Sequence, residues 1–221
     1  MTGVPWESIM RTNLFILSAV MALGPLPFFG AVPPAKAGAI SGPIVDPSNS
    51  NTYYLLAQDS WTNSEAEAVA MGGQLATINN ATENAFVYNA FSEGGTRNLW
   101  IGLYDPTQDS LGGSHASNFV WADGDAVVYT NWPLGEPNNY GANGVPEYYT
   151  MMWGNNSDIA YLPASRGPGT WNDIADSGVY TPPFIYPVSG AFGVVEIVPE
   201  PASLILLAAG ALGLLARRSS R

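Results

Sequence analysis

The sequence predicts an α+β domain in which two early helices are followed by irregular loops and short strands. Two segments, 61–71 and 80–91, combine helix-start signals with apolar residues at helical spacing. After residue 91 the chain consists of short extended runs separated by Gly, Pro, Asn and Asp, and it shows no internal repeat. We therefore expect two helices packed on small antiparallel sheets, with a long irregular loop between strands.

The first elements can be placed from local signals. Residues 53–57 are apolar and aromatic and predict a first strand. The first helix is predicted over 61–71, with Thr62 and Glu65 as a capping box and Gly72-Gly73 as its end. Its expected apolar face consists of Ala66, Val69 and Ala70.

The second helix and the later strands follow in order. Asn80, with Glu83 three residues on, predicts a capped helix start, and Phe86, Val87 and Phe91 supply its apolar side. Further strands are predicted over 99–103, 118–122, 148–153 and 193–198.

The N-terminus has the features of an export signal. Arg11 precedes an apolar run over 13–23, and Ala35-Lys36-Ala37 matches a small-residue cleavage site. The run is too short for a membrane anchor, and prolines follow it. We therefore interpret residues 1–37 as a signal peptide and residues 38–52, rich in Gly, Pro and Ser, as a leader segment.

The C-terminal segment, 198–221, has the features of a second targeting signal. Val198-Pro199-Glu200-Pro201 precedes an apolar run over 202–216 and then Arg217-Arg218. As a helix this run would be about 22 Å long, shorter than a hydrocarbon core of about 30 Å. The segment resembles the PEP-CTERM sorting signal of bacterial exported proteins. The resemblance implies recognition by an exosortase-type processing enzyme, a membrane contact before processing, and delivery to the cell envelope or the extracellular matrix. A short permanent anchor over 202–216 is the alternative.

Composition excludes several classes of function. The 221 residues contain no cysteine and one histidine, His115, which excludes disulfides, thiol nucleophiles and multi-histidine metal centres. Residues 38–198 hold two basic side chains and sixteen acidic ones. This balance argues against nucleic acid as a partner and favours divalent counter-ions.

Side chains with oxygen donors concentrate in three segments. They belong to Glu136 and Asn138 in the loop 131–146, to Glu147 at its end, and to Asn172 and Asp173 beyond a second polar loop. Carboxylate and carboxamide oxygens are the ligands that Ca²⁺ prefers, and it takes six to eight of them. Five side chains would leave positions for vicinal hydroxyls, and the same residues could hydrogen-bond those hydroxyls.

These motifs, taken in order, resemble a C-type lectin-like domain over residues 53–197. The elements that carry the resemblance are Trp61, Gly72-Gly73-x-Leu75, Trp100-Ile101-Gly102-Leu103, Trp121-x-Asp123-Gly124, Asn131-Trp132, Gly135-Glu136-Pro137-Asn138-Asn139, Trp171-Asn172-Asp173 and Val195-Glu196. The resemblance implies a principal Ca²⁺ held by Glu136, Asn138, Glu147, Asn172 and Asp173, and a cis bond before Pro137. The Glu-Pro-Asn order implies sugars of the mannose, N-acetylglucosamine or fucose type.

The sequence departs from the family at its disulfides and loops. Family members commonly carry two bridges, and the aligned pairs here are Ala68 with Val195 and Tyr149 with Asp176. Loss of a bridge typically costs about 2–5 kcal/mol, so apolar packing or Ca²⁺ must substitute. The loops 154–170 and 177–191 are long and could reshape the binding surface.

Aromatic and acidic residues outside the motif have two interpretations each. Tyr140, inside the binding loop, is the preferred sugar-stacking residue, whereas the tryptophans are assigned to the core. They are Trp100, Trp121, Trp132, Trp153 and Trp171. Four aspartates could form an auxiliary Ca²⁺ site, but their context favours turns. They are Asp105, Asp109, Asp123 and Asp125.

Three classes of function remain in competition. The first is a Ca²⁺-dependent carbohydrate-binding exported protein, which we prefer. The second is a structural or protein-interaction module of the envelope or exopolysaccharide matrix. The third is a glycoside hydrolase using Glu136 and Glu147. We do not expect an enzyme, because carboxylates committed to a cation cannot act freely as general acids.

Overall fold

The computed structural model describes residues 38–108, 116–141, 144–154, 167–179 and 190–199. The chain divides into two compact units, Met1–Pro34 and Ala35–Arg221, and the described residues all belong to the second. The signal peptide, the anchor run 202–216, Asp109 and His115 lie outside the described residues, as do most of the loops 154–170 and 177–191. Among the residues described, no helix is long and apolar enough to cross a membrane.

The domain combines two helices with one mixed sheet, so the α+β prediction is confirmed. The elements in chain order are β1 (Ala39–Val45), β2 (Thr52–Asp59), α1 (Trp61–Ala70), β3 (Gln74–Leu75), α2 (Ala81–Phe91), β4 (Leu99–Tyr104), β5 (Val120–Trp121), β6 (Tyr149–Met152), β7 (Trp171–Ile174) and β8 (Ala191–Ile197).

The sheet brings both ends of the domain together. Its strand order is β1-β2-β8-β4-β6-β7, with β3 added to β8 and β5 added to β4. All pairs are antiparallel except β4 with β8. Strands β2 and β8 are paired antiparallel, with Thr52 opposite Ile197. The first and last parts of the domain therefore lie side by side in the sheet. Strand β7 lies at the far edge of the sheet.

Helix α1 begins where predicted, but its cap and its buried face differ from the prediction. Ser60, not Thr62, is the N-cap, and Glu65 accepts a hydrogen bond from the Leu75 amide instead of closing a capping box. The helix buries Trp61, Ser64 and Ala68. Ala66, Val69 and Ala70, expected to be the apolar face, are exposed.

Helix α2 matches its prediction more closely. The Asn80 side chain accepts a hydrogen bond from the Glu83 amide at 2.9 Å, which is the predicted cap. Val87 and Phe91 are buried, and Phe86 packs against the same core. In a capping box the Glu83 carboxylate would accept a hydrogen bond from the amide of the cap residue Asn80. Here it accepts one from the Asn79 amide instead, at 2.7 Å.

Three strands were not predicted, and one of them is the two-residue β3. β1 forms within the segment expected to be a leader and pairs with β2 despite a cis peptide bond between Gly42 and Pro43. β7 coincides with the motif Trp171-Asn172-Asp173, which was interpreted only as a site.

The positions of the two family disulfides are filled in different ways. Ala68 and Val195 are fully buried in the same apolar cluster. At the second position, the Tyr149 ring stacks on Trp61 with centroids 4.8 Å apart. Asp176 accepts hydrogen bonds from the Thr62 amide at 2.9 Å and the Thr62 hydroxyl at 3.0 Å. Apolar packing thus occupies the first position that the resemblance aligns with a bridge, and an aromatic contact and a cap of α1 occupy the second.

Candidate functional site

Strand β7 is fixed by its first residue, Trp171. Its indole is fully buried and meets Trp121, Tyr129 and Trp132 edge-on, at centroid distances of 5.7–5.8 Å. The indole nitrogen donates to Asn84 Oδ1 at 2.8 Å. Aromatic packing of this kind contributes beyond area burial alone. The next two residues, Asn172 and Asp173, are therefore held at the edge of the sheet.

The loop that carries Glu136 and Asn138 is tied to this strand at its base. The Trp171 amide donates to the Asn131 carbonyl at 3.0 Å, and Asn131 Nδ2 donates to the Gly169 carbonyl at 2.8 Å. Farther along, the peptide bond between Glu136 and Pro137 is cis, as the family resemblance implied.

The Asp173 carboxylate joins the loop to the strand. The Asn138 amide lies 3.1 and 3.0 Å from its two oxygens, and the Asn139 amide lies 2.6 Å from Oδ2. Asp173 is fully buried, and hydrogen bonds from main-chain amides are what stabilise a buried carboxylate. Within the loop, Asn138 Nδ2 donates to Glu136 Oε2 at 2.6 Å. Three of the five predicted ligands are thus brought together by direct contacts.

The other two predicted ligands adjoin this cluster. The Asn172 side-chain amide donates to the Asp173 carbonyl, and both residues are buried. Glu147 is buried too, and its main-chain amide donates to Asn139 Oδ1 at 2.8 Å. Asn139 therefore connects Glu147 with Asp173.

Asn139 is the positioning residue that sequence reasoning missed. The family motif includes Asn139 without predicting a role for it. Its backbone has a φ of 45°, in the left-handed region that Asn tolerates better than most residues. A second Asn directly after Glu-Pro-Asn was the available signal.

Tyr140, the residue predicted to stack on the sugar, lies largely exposed in the loop. Its amide donates to Asn138 Oδ1 at 2.7 Å, while 75% of its side chain is exposed. Leu134, on the other side of Glu136, is 88% exposed. Four of the five tryptophans are buried, and Trp132 packs against the core, so their assignment to the core is confirmed.

The turn interpretation is confirmed for Asp105 and Asp123. Asp105 and Asp123 each accept a hydrogen bond, at 2.8 Å, from the amide two residues further on. This is the local pattern by which Asp stabilises turns.

The donor chemistry of the candidate site fits a hard cation. Within the described ranges, no three His, Cys, Asp or Glu side chains form a group that could hold a metal ion. This result covers the predicted set, because its three carboxylates, Glu136, Glu147 and Asp173, all lie in the described ranges. The set contains only carboxylate and carboxamide oxygens, the donors that Ca²⁺ selects, and neither sulfur nor imidazole.

Two family models match the sequence of this chain. Residues 57–180 match the family model described as the lectin C-type domain, and residues 198–221 match the PEP-CTERM protein-sorting motif. The sorting motif indicates export and association with the cell envelope.

Individual relatives match only part of their own length. Ladderlectin of Oncorhynchus mykiss is 37% identical over 117 residues, which cover 52% of this chain and 50% of the relative. The alpha-N-acetylgalactosamine-specific lectin of Patiria pectinifera is 32% identical over 112 residues, covering 49% and 54%. The chain thus spans about half the length of these curated relatives.

A solved structure also resembles the domain. The C-type lectin CEL-I from Cucumaria echinata aligns with a TM-score of 0.48 at 21% identity, covering 74% of this chain and 98% of that one. The family-model match spans more than half of the 221 residues. The chain therefore belongs to the C-type lectin domain family and carries a C-terminal PEP-CTERM sorting motif.

Proposed function

We propose that this chain is a Ca²⁺-dependent carbohydrate-binding protein that is exported and displayed at the cell envelope or in the extracellular matrix. The contact of Asn138 and Asn139 with Asp173 is the observation that carries the proposal, because it unites the two halves of the predicted ligand set. Glu136, Asn138, Glu147, Asn172 and Asp173 would hold the ion. A bound Ca²⁺ would supply open coordination positions for a pair of vicinal sugar hydroxyls.

The protein side chains would recognise the same hydroxyls directly. Carboxylates accept hydrogen bonds and carboxamides donate them. Glu136 and Asn138 together can therefore select sugars by the orientation of two neighbouring hydroxyls. The order Glu-Pro-Asn supports mannose, N-acetylglucosamine or fucose as ligands. One relative is by name specific for N-acetylgalactosamine, so the preference proposed here rests on the motif and not on the relatives. Tyr140 would stack on the apolar face of the sugar.

A retention assay tests the proposal. The mature domain should bind mannose-agarose in Ca²⁺ and elute in chelator. The exchange Glu136→Gln with Asn138→Asp should abolish mannose retention or move it to galactose-agarose, while the unfolding transition in chelator persists. Asp125→Asn, a substitution at an exposed position outside the loop, is the control and should be retained like the wild type. Unchanged mannose retention by the double variant would refute the proposed contacts.

Exposed apolar side chains beside the loop support a second candidate, a protein-interaction or matrix module. Val128 is 72% exposed and Leu134 88% exposed. A contiguous exposed apolar patch is typical of a surface that contacts other proteins, and these two side chains would contribute to one. If Leu134→Ser abolishes capture of a protein partner while no glycan is retained in Ca²⁺, this candidate replaces the first.

The lectin family consists in general of binding proteins, and we propose that this chain has no catalytic activity. Glycan turnover by the wild type that is lost in Glu147→Gln would refute this.

A further inference from the structure

The first described residue, Gly38, lies against helix α1. Its φ is 108°, in the region that favours glycine. A Cβ at this position would overlap Glu67 Oε1 and would lie 2.6 Å from Glu67 Cδ. Bond lengths then place the Gly38 nitrogen within about 4.5 Å of that carboxylate oxygen. The sequence predicts cleavage of the export signal after Ala37, so this nitrogen is the one that cleavage would release.

The Glu67 carboxylate has no partner within the described part of the chain. Glu67 is partly buried on α1, and neither a hydrogen bond nor an ion pair reaches its carboxylate there. Arg97, the one basic side chain among the described residues, lies 2.9 Å from Glu93 instead. The titratable side chains on β1, β2 and α1 are acids or phenols, namely Tyr53, Tyr54, Asp59, Glu65 and Glu67. The negative charge around Gly38 therefore favours a cation.

The mature chain would contain a single primary amine. Lys36 is the only lysine in the sequence, and it precedes the predicted cleavage position. Cleavage after Ala37 would therefore leave the α-amino group of Gly38 as the only ammonium group of the chain. The ordinary pKa of an α-amino group is about 7.7–8.0, so this group is mostly protonated at neutral pH.

Strand β1, which begins directly after Gly38, has few other attachments. It is the edge strand of the sheet, pairs only with β2, and shows two irregularities in its register. Pro43 lacks an amide hydrogen, and every residue of the strand is partly or fully exposed. A further contact at the start of β1 would therefore help to keep the strand paired.

We propose that Glu67 is the acceptor site for the mature N-terminus, and that the ammonium group of Gly38 forms an ion pair with it and fixes β1 to α1. Hydrolysis adds one water across the peptide bond between Ala37 and Gly38, which leaves a carboxylate on Ala37 and an ammonium on Gly38. In the precursor the same nitrogen is a neutral amide and cannot form the ion pair. Removal of the signal therefore also completes the attachment of the first strand. The inference depends on the proposed export but not on sugar binding.

The test uses the full precursor, expressed in an exporting bacterium, and the exported chain recovered in detergent. Mass spectrometry of its first peptide should show Gly38 as the N-terminal residue. Because no lysine follows Lys36, amine reagents modify only this α-amino group. Acetylation removes its positive charge, whereas reductive dimethylation keeps the charge and adds comparable bulk. Dimethylation is therefore the matched control for acetylation.

Hydrogen exchange of the β1 amides reports on the attachment of the strand. Acetylation should speed this exchange by up to about fivefold, the range expected for a partly exposed ion pair, whereas the dimethylated chain should match the unmodified one. Glu67→Gln should exchange like the acetylated wild type, and acetylation should change it no further. Asp125→Asn, at an exposed position away from α1, should respond to acetylation like the wild type.

The amine itself gives a second measurement. Dimethylation with carbon-13 formaldehyde labels this group alone, and NMR should give it a higher pKa in the wild type than in Glu67→Gln, because a nearby carboxylate favours the charged form. A raised pKa in the folded chain means that the protection of β1 is fully present below about pH 7.7 and is lost as the pH rises through the folded value.

Three results would overturn the proposal. They are a first residue other than Gly38, equal β1 exchange in the acetylated and dimethylated chains, and an equal effect of acetylation in the wild type and Glu67→Gln. A chain that retains no sugar but shows the expected exchange would refute the proposed function and leave this inference standing.

Discussion

The substitution Asp176→Ala tests whether this side chain provides the stability that the second disulfide provides in other family members. Asp176 lies where the bridge to residue 149 would begin, and its carboxylate accepts the Thr62 amide at 2.9 Å and the Thr62 hydroxyl at 3.0 Å. Ser60 caps the same helix through a longer contact of 3.2 Å to the Asn63 amide. The first turn of α1 therefore depends on an acceptor that comes from a distant part of the chain.

The expected loss for Asp176→Ala follows from these contacts. A lost helix cap typically costs about 1 kcal/mol. A negative charge near a helix N-terminus contributes a further ~0.3–1 kcal/mol. Because Asp176 is half-buried, we expect a loss of about 1–2 kcal/mol in the free energy of unfolding. For a domain of this size, that corresponds to a melting temperature lower by about 2–8 °C.

The assay is urea-induced unfolding in chelator, so that no Ca²⁺ contributes. Asp176→Asn keeps one acceptor oxygen but loses the charge, so it should lie between Asp176→Ala and wild type. Asp125→Asn should stay within about 0.5 kcal/mol of wild type, as exposed substitutions usually do. A loss below about 0.3 kcal/mol for Asp176→Ala would refute the view that this side chain substitutes for the bridge.

Three further predictions concern the other bridge position and the site. Ala68→Cys with Val195→Cys should form a disulfide under oxidising conditions and stabilise the domain by about 2–4 kcal/mol, measured by unfolding with and without reductant. Asp173→Ala should destabilise the domain in chelator by about 2–4 kcal/mol, because two loop amides lose their acceptor, and unchanged unfolding would contradict that role. Gly141→Ala should reduce sugar retention, since its Cβ would lie 2.2 Å from the Val145 carbonyl oxygen, whereas full retention would show that the loop can yield there.

Local signals were sufficient to place the helices but not to orient α1. The Gly72-Gly73 pair ends α1 as predicted, and Gly72 has a φ of 77°. The exposed face could not be predicted, because small residues such as Ala68 pack against β8 while the more apolar Val69 points to solvent. Which side of a weakly amphipathic helix is buried depends on the partner, which local periodicity does not describe.

Strands β1 and β7 escaped prediction for a related reason. β1 contains Gly42 and Pro43, which disfavour a strand in isolation, and its pairing with β2 overrides that preference. β7 has two polar residues, Asn172 and Asp173, in four positions, so its composition is typical of a loop. Its strand conformation comes from pairing with β6 and from the burial of Trp171.

The candidate site was predictable as a set of residues but not as a network. Motif order identified Glu136, Asn138 and Asp173, and the structure brings them together. The link through Asn139 depends on a loop conformation that joins residues 34 positions apart. The contact between Asn139 and Asp173 has no local sequence pattern, so it could not be predicted without the fold.

The candidate site and the position of the second family disulfide are both close to the end of β7. The contacts there predict separate effects on sugar binding and on stability. Asp176 follows Asp173 by three residues, and its carbonyl accepts the Trp61 amide at 3.0 Å, independently of its side chain. This main-chain bond survives Asp176→Ala and continues to anchor the end of β7. We therefore expect Asp176→Ala to retain sugar like wild type at temperatures well below its melting transition. Loss of Ca²⁺-dependent retention in a folded Asp176→Ala domain would show that the cap of α1 also positions Asp173, and that the bridge of other family members serves the binding site as well as stability.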